Sequence, residues 1–163
     1  SSAASDVYKR QFLCSLVAGF LFAFAIVVMP GIKDLKDREF IRAFQVMDGV
    51  IQNNQPVFIL VWVGSVVTLL ASLVLGMGQL EGVGRLLIIF AALAYLLGVQ
   101  LPTAAINIPL NKRLQALDVD ALDKTEQEEA RKGFEPRWNR WNAIRTFFAG
   151  LASALLIVLL FIL

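Results

Sequence analysis

Histidine is absent from this 163-residue chain, and cysteine occurs once, as Cys14. The missing imidazole excludes the usual zinc sites, the usual axial ligand of haem and the histidine-containing di-iron motif of helix bundles. We therefore predict no metal site and no cofactor. A single thiol cannot form an internal disulfide, so a disulfide-stapled outer domain is excluded. A formal net charge of +2 gives no reason to expect a nucleic-acid partner.

Charged residues are scarce, at 17% of the chain, where about a quarter is usual in soluble domains. Four long stretches contain no charge at all. A bilayer core about 30 Å thick needs roughly 20 helical residues. We predict an all-α, integral membrane four-helix bundle whose spans cover residues 12–29, 57–76, 86–106 and 146–163. A soluble protein with four buried helices would need polar stripes along these stretches, and they have almost none.

The first eleven residues, SSAASDVYKRQ, differ in composition from the rest of the chain. We interpret residues 1–11 as a non-native leader and residues 12–163 as a single membrane domain. A secretory signal peptide is the alternative. The apolar run that follows is long and ends in Met-Pro-Gly without a small-residue cleavage site, which favours a retained helix.

The first long connection, residues 30–56, carries apolar residues at helical spacing. These are Phe40, Ile41, Phe44, Met47, Val50 and Ile51. Lys36, Arg42 and Asp48 fall on the opposite face. The pattern predicts an amphipathic helix that is capped by Asp37 and stopped by the sequence NNQP. Such a helix can lie in the membrane interface or fold back over the bundle.

The third apolar run is interrupted by two prolines. Pro102 can kink the helix, and Pro109 is expected to bend or end it. Asn107 and Asn111 lie four residues apart, and they share one face if the helix continues through them. The charged stretch 118–133 then follows, and we expect a solvated connector there, with a frayed helix as the alternative.

The basic residues predict which way the bundle faces. Four Lys and Arg lie in residues 30–56 and eight in residues 102–145, so these two connections on one side of the membrane carry twelve. The positive-inside rule places both connections in the cytoplasm and both termini outside. The expected location is the bacterial inner membrane.

The sequence RWNRWNAIR, residues 137–145, immediately precedes the last apolar run. On a helix, Trp138, Trp141, Asn142 and Arg145 share one face. One interpretation is anchoring, with an aromatic belt at the lipid–water boundary and Arg145 reaching out to the interface. Lipid headgroups do not explain asparagine, however. The other interpretation turns Trp141, Asn142 and Arg145 inward and leaves Trp138 as the anchor.

An inward polar face needs hydrogen-bonding partners, because an unpartnered buried polar group costs about 1–3 kcal/mol. The available partners on other helices are Asn107, Asn111, Gln45, Asp48, Gln52 and Asn53. Two outcomes stay open from the residues alone. One is a closed structural hydrogen-bond network. The other is a ligand pocket with an apolar floor and the amphipathic helix as its lid.

Four segments of the sequence indicate membership of a protein family: FAFAIVVMPGI, AFQVMDGVIQN, NIPLNKRLQAL and RWNRWNAIRT. They resemble the signature segments of anthrone oxygenase-like membrane proteins, over about residues 19–150. Members of that family are small four-span proteins, and a few fungal ones are linked to the oxidation of anthrones to anthraquinones. By position, the signature polar residues are Gln45, Asn107, Asn111, Trp141, Asn142 and Arg145. Many members have histidine where this chain has Ala143, which weakens the transfer of activity.

Two functions follow. In the first, the protein is a cofactor-free oxygenase for a hydrophobic aromatic or quinone-like substrate. Arg145 would stabilise a phenolate while Asn107 or Asn142 orients it, and Asp48 is the plausible base, with Glu135 a distant second. Further substrate contacts are expected from Gln45, Asp48, Asn111 and Trp141. In the second, the protein is non-catalytic: a binder of a small hydrophobic ligand, or an accessory subunit in contact with lipid, another membrane protein or a second copy.

Overall fold

A computed structural model describes the backbone of residues 2–162 and the side chains of residues 11–162. In that part of the chain, four helices are long and apolar enough to cross a membrane. Spans 1 to 4 are Gln11–Ile32, Pro56–Gln79, Gly82–Gln115 and Lys124–Ile162. A further helix, the loop helix, is Asp37–Gln52. The predicted all-α membrane bundle is confirmed. Most side chains of the predicted leader lie outside the described residues.

Three prolines in spans 1 and 3 each follow a turn of π-helix. These turns are Phe24–Val28, Leu96–Gln100 and Thr103–Asn107. In each case the residue before the proline donates its N–H to the carbonyl five residues back, as Ile108 does to Thr103. A proline lacks the N–H that would bond four residues back, and its ring crowds that carbonyl. The wider turn accommodates both defects, so the helix continues.

Spans 3 and 4 therefore extend beyond their predicted bounds. Span 3 passes through both prolines and ends at Gln115, whereas the sequence led us to expect a bend or an end at Pro109. Span 4 begins at Lys124, so the charged stretch is helical from that residue onward, as the alternative interpretation had it, while most of its side chains are exposed. The start of the span is tied down by Gln127, whose amide donates to the Val119 carbonyl at 3.2 Å. Partly buried Ala130 also packs there.

The loop helix is amphipathic as predicted, with two corrections. Asp48 is buried on the same face as Phe40 and Phe44, where the sequence pattern had placed it on the polar face. Asp37 is the first helical residue rather than the cap. The backbone N–H of Lys36 instead donates a hydrogen bond to the Glu39 carboxylate at 3.4 Å.

The buried apolar side chains form two clusters, one above the other. The first fills the membrane-spanning bundle and includes Leu21, Tyr95 and Leu156. The second joins the loop helix to the start of span 4 through Phe44 and Trp138, among others. Both long connections therefore lie at one end of the bundle. Polar side chains are concentrated where the two clusters meet.

Candidate active site

A cavity of about 340 Å³ lies at the junction of the two apolar clusters. Its walls come from all four spans and from the loop helix. The aromatic lining consists of Phe20, Phe24, Phe44, Phe58, Trp62 and Trp138. The size falls at the lower end of the range of small-molecule pockets, and aromatic walls with a few polar groups are typical of them.

Arg145 forms the charged floor of this cavity. Its side chain is only 5% exposed, so it does not reach out to the interface as the anchoring interpretation expected. The guanidinium donates to Thr103 Oγ1 at 3.0 Å and to Asn142 Oδ1 at 2.9 Å. Both partners are neutral, and no ion pair with a described carboxylate compensates the charge. Its Nε–H has no hydrogen-bond partner within the described part of the chain. A buried cation of this kind inside a membrane protein is a candidate functional site.

Asn142 fixes the position of that guanidinium. It lies one turn before Arg145 on span 4, and its Nδ2 donates to the Leu21 carbonyl of span 1 at 3.1 Å. Because the amide nitrogen is held in this way, the oxygen must point to the arginine. The pair is therefore locked in one orientation between spans 1, 3 and 4.

Asn107 has buried polar atoms that the protein leaves unused. The residue is 2% exposed and lines the cavity, yet neither its Oδ1 nor its Nδ2 has a hydrogen-bond partner among the described residues. Leaving a buried amide unpaired costs about 1–3 kcal/mol. An amide that offers both a donor and an acceptor beside a buried cation is suited to a polar ligand group.

Asp48 lies at the opposite wall, in a chain of hydrogen bonds. Asn111 Nδ2 donates to Asp48 Oδ1 at 2.7 Å, and Gln52 donates to Oδ2. The Oδ1 of Asn111 accepts from Trp138 Nε1 at 2.8 Å. Burial raises the pKa of Asp48, while the bonds from Gln52 and Asn111 act in the opposite direction. The result is an oriented carboxylate with a raised pKa, the character required of a general base.

Trp138 and Trp141 take the reverse of their predicted positions. Trp138 is buried against Phe44 with ring centroids 5.4 Å apart and faces the cavity. Trp141 lies outside it, in a groove on the outer surface beside Gly98 and Phe148. The inward stripe of span 4 is centred on residues 138, 142 and 145. At 100° per residue, position 141 is turned roughly 60° or more away from the centre of that stripe.

Two more predicted residues lie apart from the cavity. Gln45 is buried, but its Nε2 donates to the Leu114 and Leu117 carbonyls at 2.9 Å, which ties the loop helix to the end of span 3. Glu135 pairs with Arg131 at 2.6 Å on the outside of the connections. Of the predicted site residues, the structure thus brings Asp48 together with Asn107, Asn111, Asn142 and Arg145.

Several residues of the lining were not predicted from the sequence, among them Thr103, Trp62 and Lys112. Thr103 precedes Asn107 by one helical turn, so its spacing from the asparagines was an available signal. Trp62 lies inside an apolar run, where nothing marked it; its Nε1 donates to Gln100 Oε1 at 3.0 Å. Lys112 follows Asn111 and precedes Arg113, where nothing in the sequence distinguishes it from a solvated charge.

Ala143, the position at which many of the resembling proteins have histidine, faces away from the cavity. Its side chain is exposed, between Asn142 on the inner face and Ile144 on the outer groove. A histidine at this position would therefore not reach the cavity without a rotation of span 4. The departure from the family pattern leaves the cavity lining unchanged.

Comparison with models of protein families matches residues 45–155, more than half of the chain, to the family described as anthrone oxygenase. No curated protein and no solved structure matches the chain. The matched stretch includes every charged residue of the cavity lining, namely Asp48, Lys112 and Arg145.

Proposed function

The chain belongs to the anthrone oxygenase family, and we propose that it oxidises a flat, phenolic anthrone-type substrate with molecular oxygen in the cavity above Arg145. The observation that carries the proposal is a buried guanidinium and a buried amide on one cavity. Among the described residues, Arg145 has no carboxylate partner and the Asn107 amide has no hydrogen-bond partner. A fixed cation and a free amide in an apolar, aromatic-walled cavity suit an aromatic ketone whose carbonyl oxygen becomes an oxyanion during reaction.

The first step is removal of a proton from the methylene carbon opposite the anthrone carbonyl. Asp48 is the acid–base group of the cavity, and it takes this proton when it is ionised. The electron pair of the broken C–H bond delocalises onto the carbonyl oxygen as an enolate. Arg145 stabilises that negative charge, and Asn107 donates its amide N–H to the same oxygen.

The enolate then supplies the electrons that reduce oxygen, so the proposal requires no metal or organic cofactor. Two electrons pass from the carbanion to O₂ as a carbon–oxygen bond forms, and the proton held by Asp48 completes a hydroperoxide. Loss of water from the hydroperoxide forms the second carbonyl. Anthrone and one O₂ thus become anthraquinone and one water.

Oxygen consumption by purified protein tests the proposal. The protein in detergent is mixed with anthrone near neutral pH, and oxygen uptake is followed together with anthraquinone absorbance. We expect one O₂ per anthraquinone and no released hydrogen peroxide. Because anthrones also oxidise spontaneously, the matched control is the Arg145→Met variant at equal concentration. Equal rates for the two proteins would refute the proposal.

A second candidate function is binding without chemistry. Both oxygens of Asp48 already accept amide N–H bonds, which favours a carboxylate held in place over one that moves protons. The protein would then be a carrier of a hydrophobic aromatic molecule or an accessory subunit with a protein or lipid partner. Saturable binding of anthraquinone, with no oxygen uptake above the control, would favour this function.

We also propose that the cavity lies at the cytoplasmic face of a bacterial inner membrane. The twelve basic residues of the two long connections support this orientation. A reporter enzyme fused to the C terminus that is active only outside the cytoplasm should be active. Activity of a cytoplasm-only reporter at the same position would reverse the orientation.

A further inference from the structure

Lys112 places a second cation on the cavity, at its exposed rim. The charged side chains of the lining are Asp48, Lys112 and Arg145. The side chain of Lys112 has no hydrogen-bond or ion-pair partner among the described residues. It lies at the end of the cavity that Arg145 does not occupy, where the carboxylate of Asp48 is already bonded by Asn111 and Gln52.

The spacing along span 3 separates the two cations. Thr103 accepts from Arg145 at one end, and Lys112 follows it on the same helix. Nine residues at 1.5 Å each place their backbones about 13 Å apart along the axis. Asn107 lies between them. A ligand long enough to fill the cavity therefore meets Arg145 with one end and Lys112 with the other.

We infer that the cavity prefers an acidic aromatic substrate, one that carries a carboxylate on the end of the ring system remote from the reacting carbonyl. This inference rests on the proposed function for the identity of the ring system. The reacting carbonyl faces Arg145 and Asn107, and the carboxylate pairs with Lys112 at the rim. Lys112 is then a specificity residue, which selects among substrates without taking part in proton or electron transfer.

Arg113 provides a matched control. It is the next residue on span 3, it also carries one positive charge, and it is exposed. It lines a separate surface groove with Leu110 and Phe134 rather than the cavity. Removing its charge changes the electrostatic potential of the protein surface by about as much as removing the charge of Lys112. Only the latter removes a charge from the cavity rim.

Binding of two unreactive probes tests the inference. Anthraquinone-2-carboxylate and anthraquinone-2-carboxamide differ in charge and little in shape, and quenching of tryptophan fluorescence reports their affinities in uncharged detergent. We expect wild type to bind the acid roughly 3- to 5-fold more tightly than the amide, the effect of an ion pair at an exposed site. Lys112→Gln should abolish the preference by weakening the acid alone. Lys112→Arg and Arg113→Gln should keep it.

The inference is overturned if wild type binds the acid no more tightly than the amide. It is also overturned if Lys112→Gln weakens both probes alike, or if Arg113→Gln erases the preference equally well. Oxidation of unsubstituted anthrone is measured in parallel. Absence of that oxidation counts against the proposed oxygenase, whereas the ratio of probe affinities still decides the role of Lys112.

Discussion

The guanidinium carbon of Arg145 lies 5.7 Å from the centroid of the Trp138 ring, two helical turns earlier on span 4. The face of the indole lies near the Arg145 guanidinium. Its N–H donates to the Asn111 amide, and that amide donates to the Asp48 carboxylate. A single side chain, that of Trp138, thus connects the end of the cavity that holds Arg145 with the end that holds Asp48.

Arg145→Met should lower the rate of anthrone oxidation by about 100- to 1,000-fold, the effect of removing an oxyanion donor. Its effect on stability should be small, because the bonds lost to Thr103 and Asn142 are offset by the removal of a buried charge that has no carboxylate partner among the described residues. The melting temperature in detergent should therefore stay close to that of wild type. A large fall in melting temperature together with the loss of activity would identify Arg145 as structural.

Asn107→Leu should weaken binding of anthraquinone by about 10-fold or more without destabilising the fold. The amide has no partner to lose among the residues that the structure describes, and a ligand bond to a buried polar group is worth about 1–3 kcal/mol. Asn142→Leu is the contrasting variant, because it removes the bonds to Leu21 and Arg145 and should lower the melting temperature. Titration calorimetry and thermal unfolding of both variants measure the difference. Equal destabilisation by the two would contradict the assignment of Asn107 to ligand binding.

The pH dependence of oxidation should report Asp48. The rate falls as the pH drops through the pKa of the carboxyl, because the base must be ionised; burial places that pKa above the ordinary value of 3.8. Asn111→Leu removes a hydrogen bond that lowers the pKa, so the acid limb of the profile should move to higher pH. Asp48→Asn should abolish the limb together with most of the activity. A limb that does not move in Asn111→Leu would exclude Asp48 as the titrating base.

Trp138→Phe and Trp141→Phe should behave differently, although the residues are three positions apart. The first removes the donor to Asn111 and a wall of the cavity, so we expect weaker anthraquinone binding and less fluorescence quenching on binding. The second changes only the outer groove, and binding should stay within about twofold of wild type, the usual range for a surface substitution. The opposite ranking would restore the inward position predicted for Trp141.

Gly98→Ala should destabilise the bundle by about 1–3 kcal/mol, the usual effect of overpacking. An added Cβ would lie 2.2 Å from Cγ of Phe148, at the contact between spans 3 and 4. Gly150→Ala is the control, since nothing lies within 4 Å of its added Cβ and Ala favours a helix. Thermal unfolding of both variants, and of Gly98→Ala combined with Phe148→Leu, measures the effect. The double variant should recover part of the lost stability.

Much of this architecture could be read from the sequence because the bilayer imposes simple rules. Four uncharged stretches of sufficient length predict four spans, and the amphipathic pattern of residues 37–52 predicts the loop helix. The cluster of Asn107 and Asn111 with Asn142 and Arg145 was visible because polar residues at the ends of apolar runs are uncommon.

Other features depended on contacts that no local pattern encodes. Asp48 turns inward because Asn111 and Gln52 bond both of its oxygens, and a hydropathy pattern scores the same carboxylate as solvent-exposed. Trp138 and Trp141 exchange roles because the tilt and rotation of span 4 against its neighbours, not the period of the helix, decide which edge of the stripe is buried.

The amino-acid sequence by itself determined that the chain crosses the membrane four times and where its polar residues collect, because transfer to lipid depends on composition and length. Only the tertiary structure decided that these residues surround a cavity rather than close on one another. The physical reason is geometric: Thr103 and Asn142 hold Arg145 at the floor, the loop helix holds Asp48 at the wall, and aromatic side chains keep the two apart.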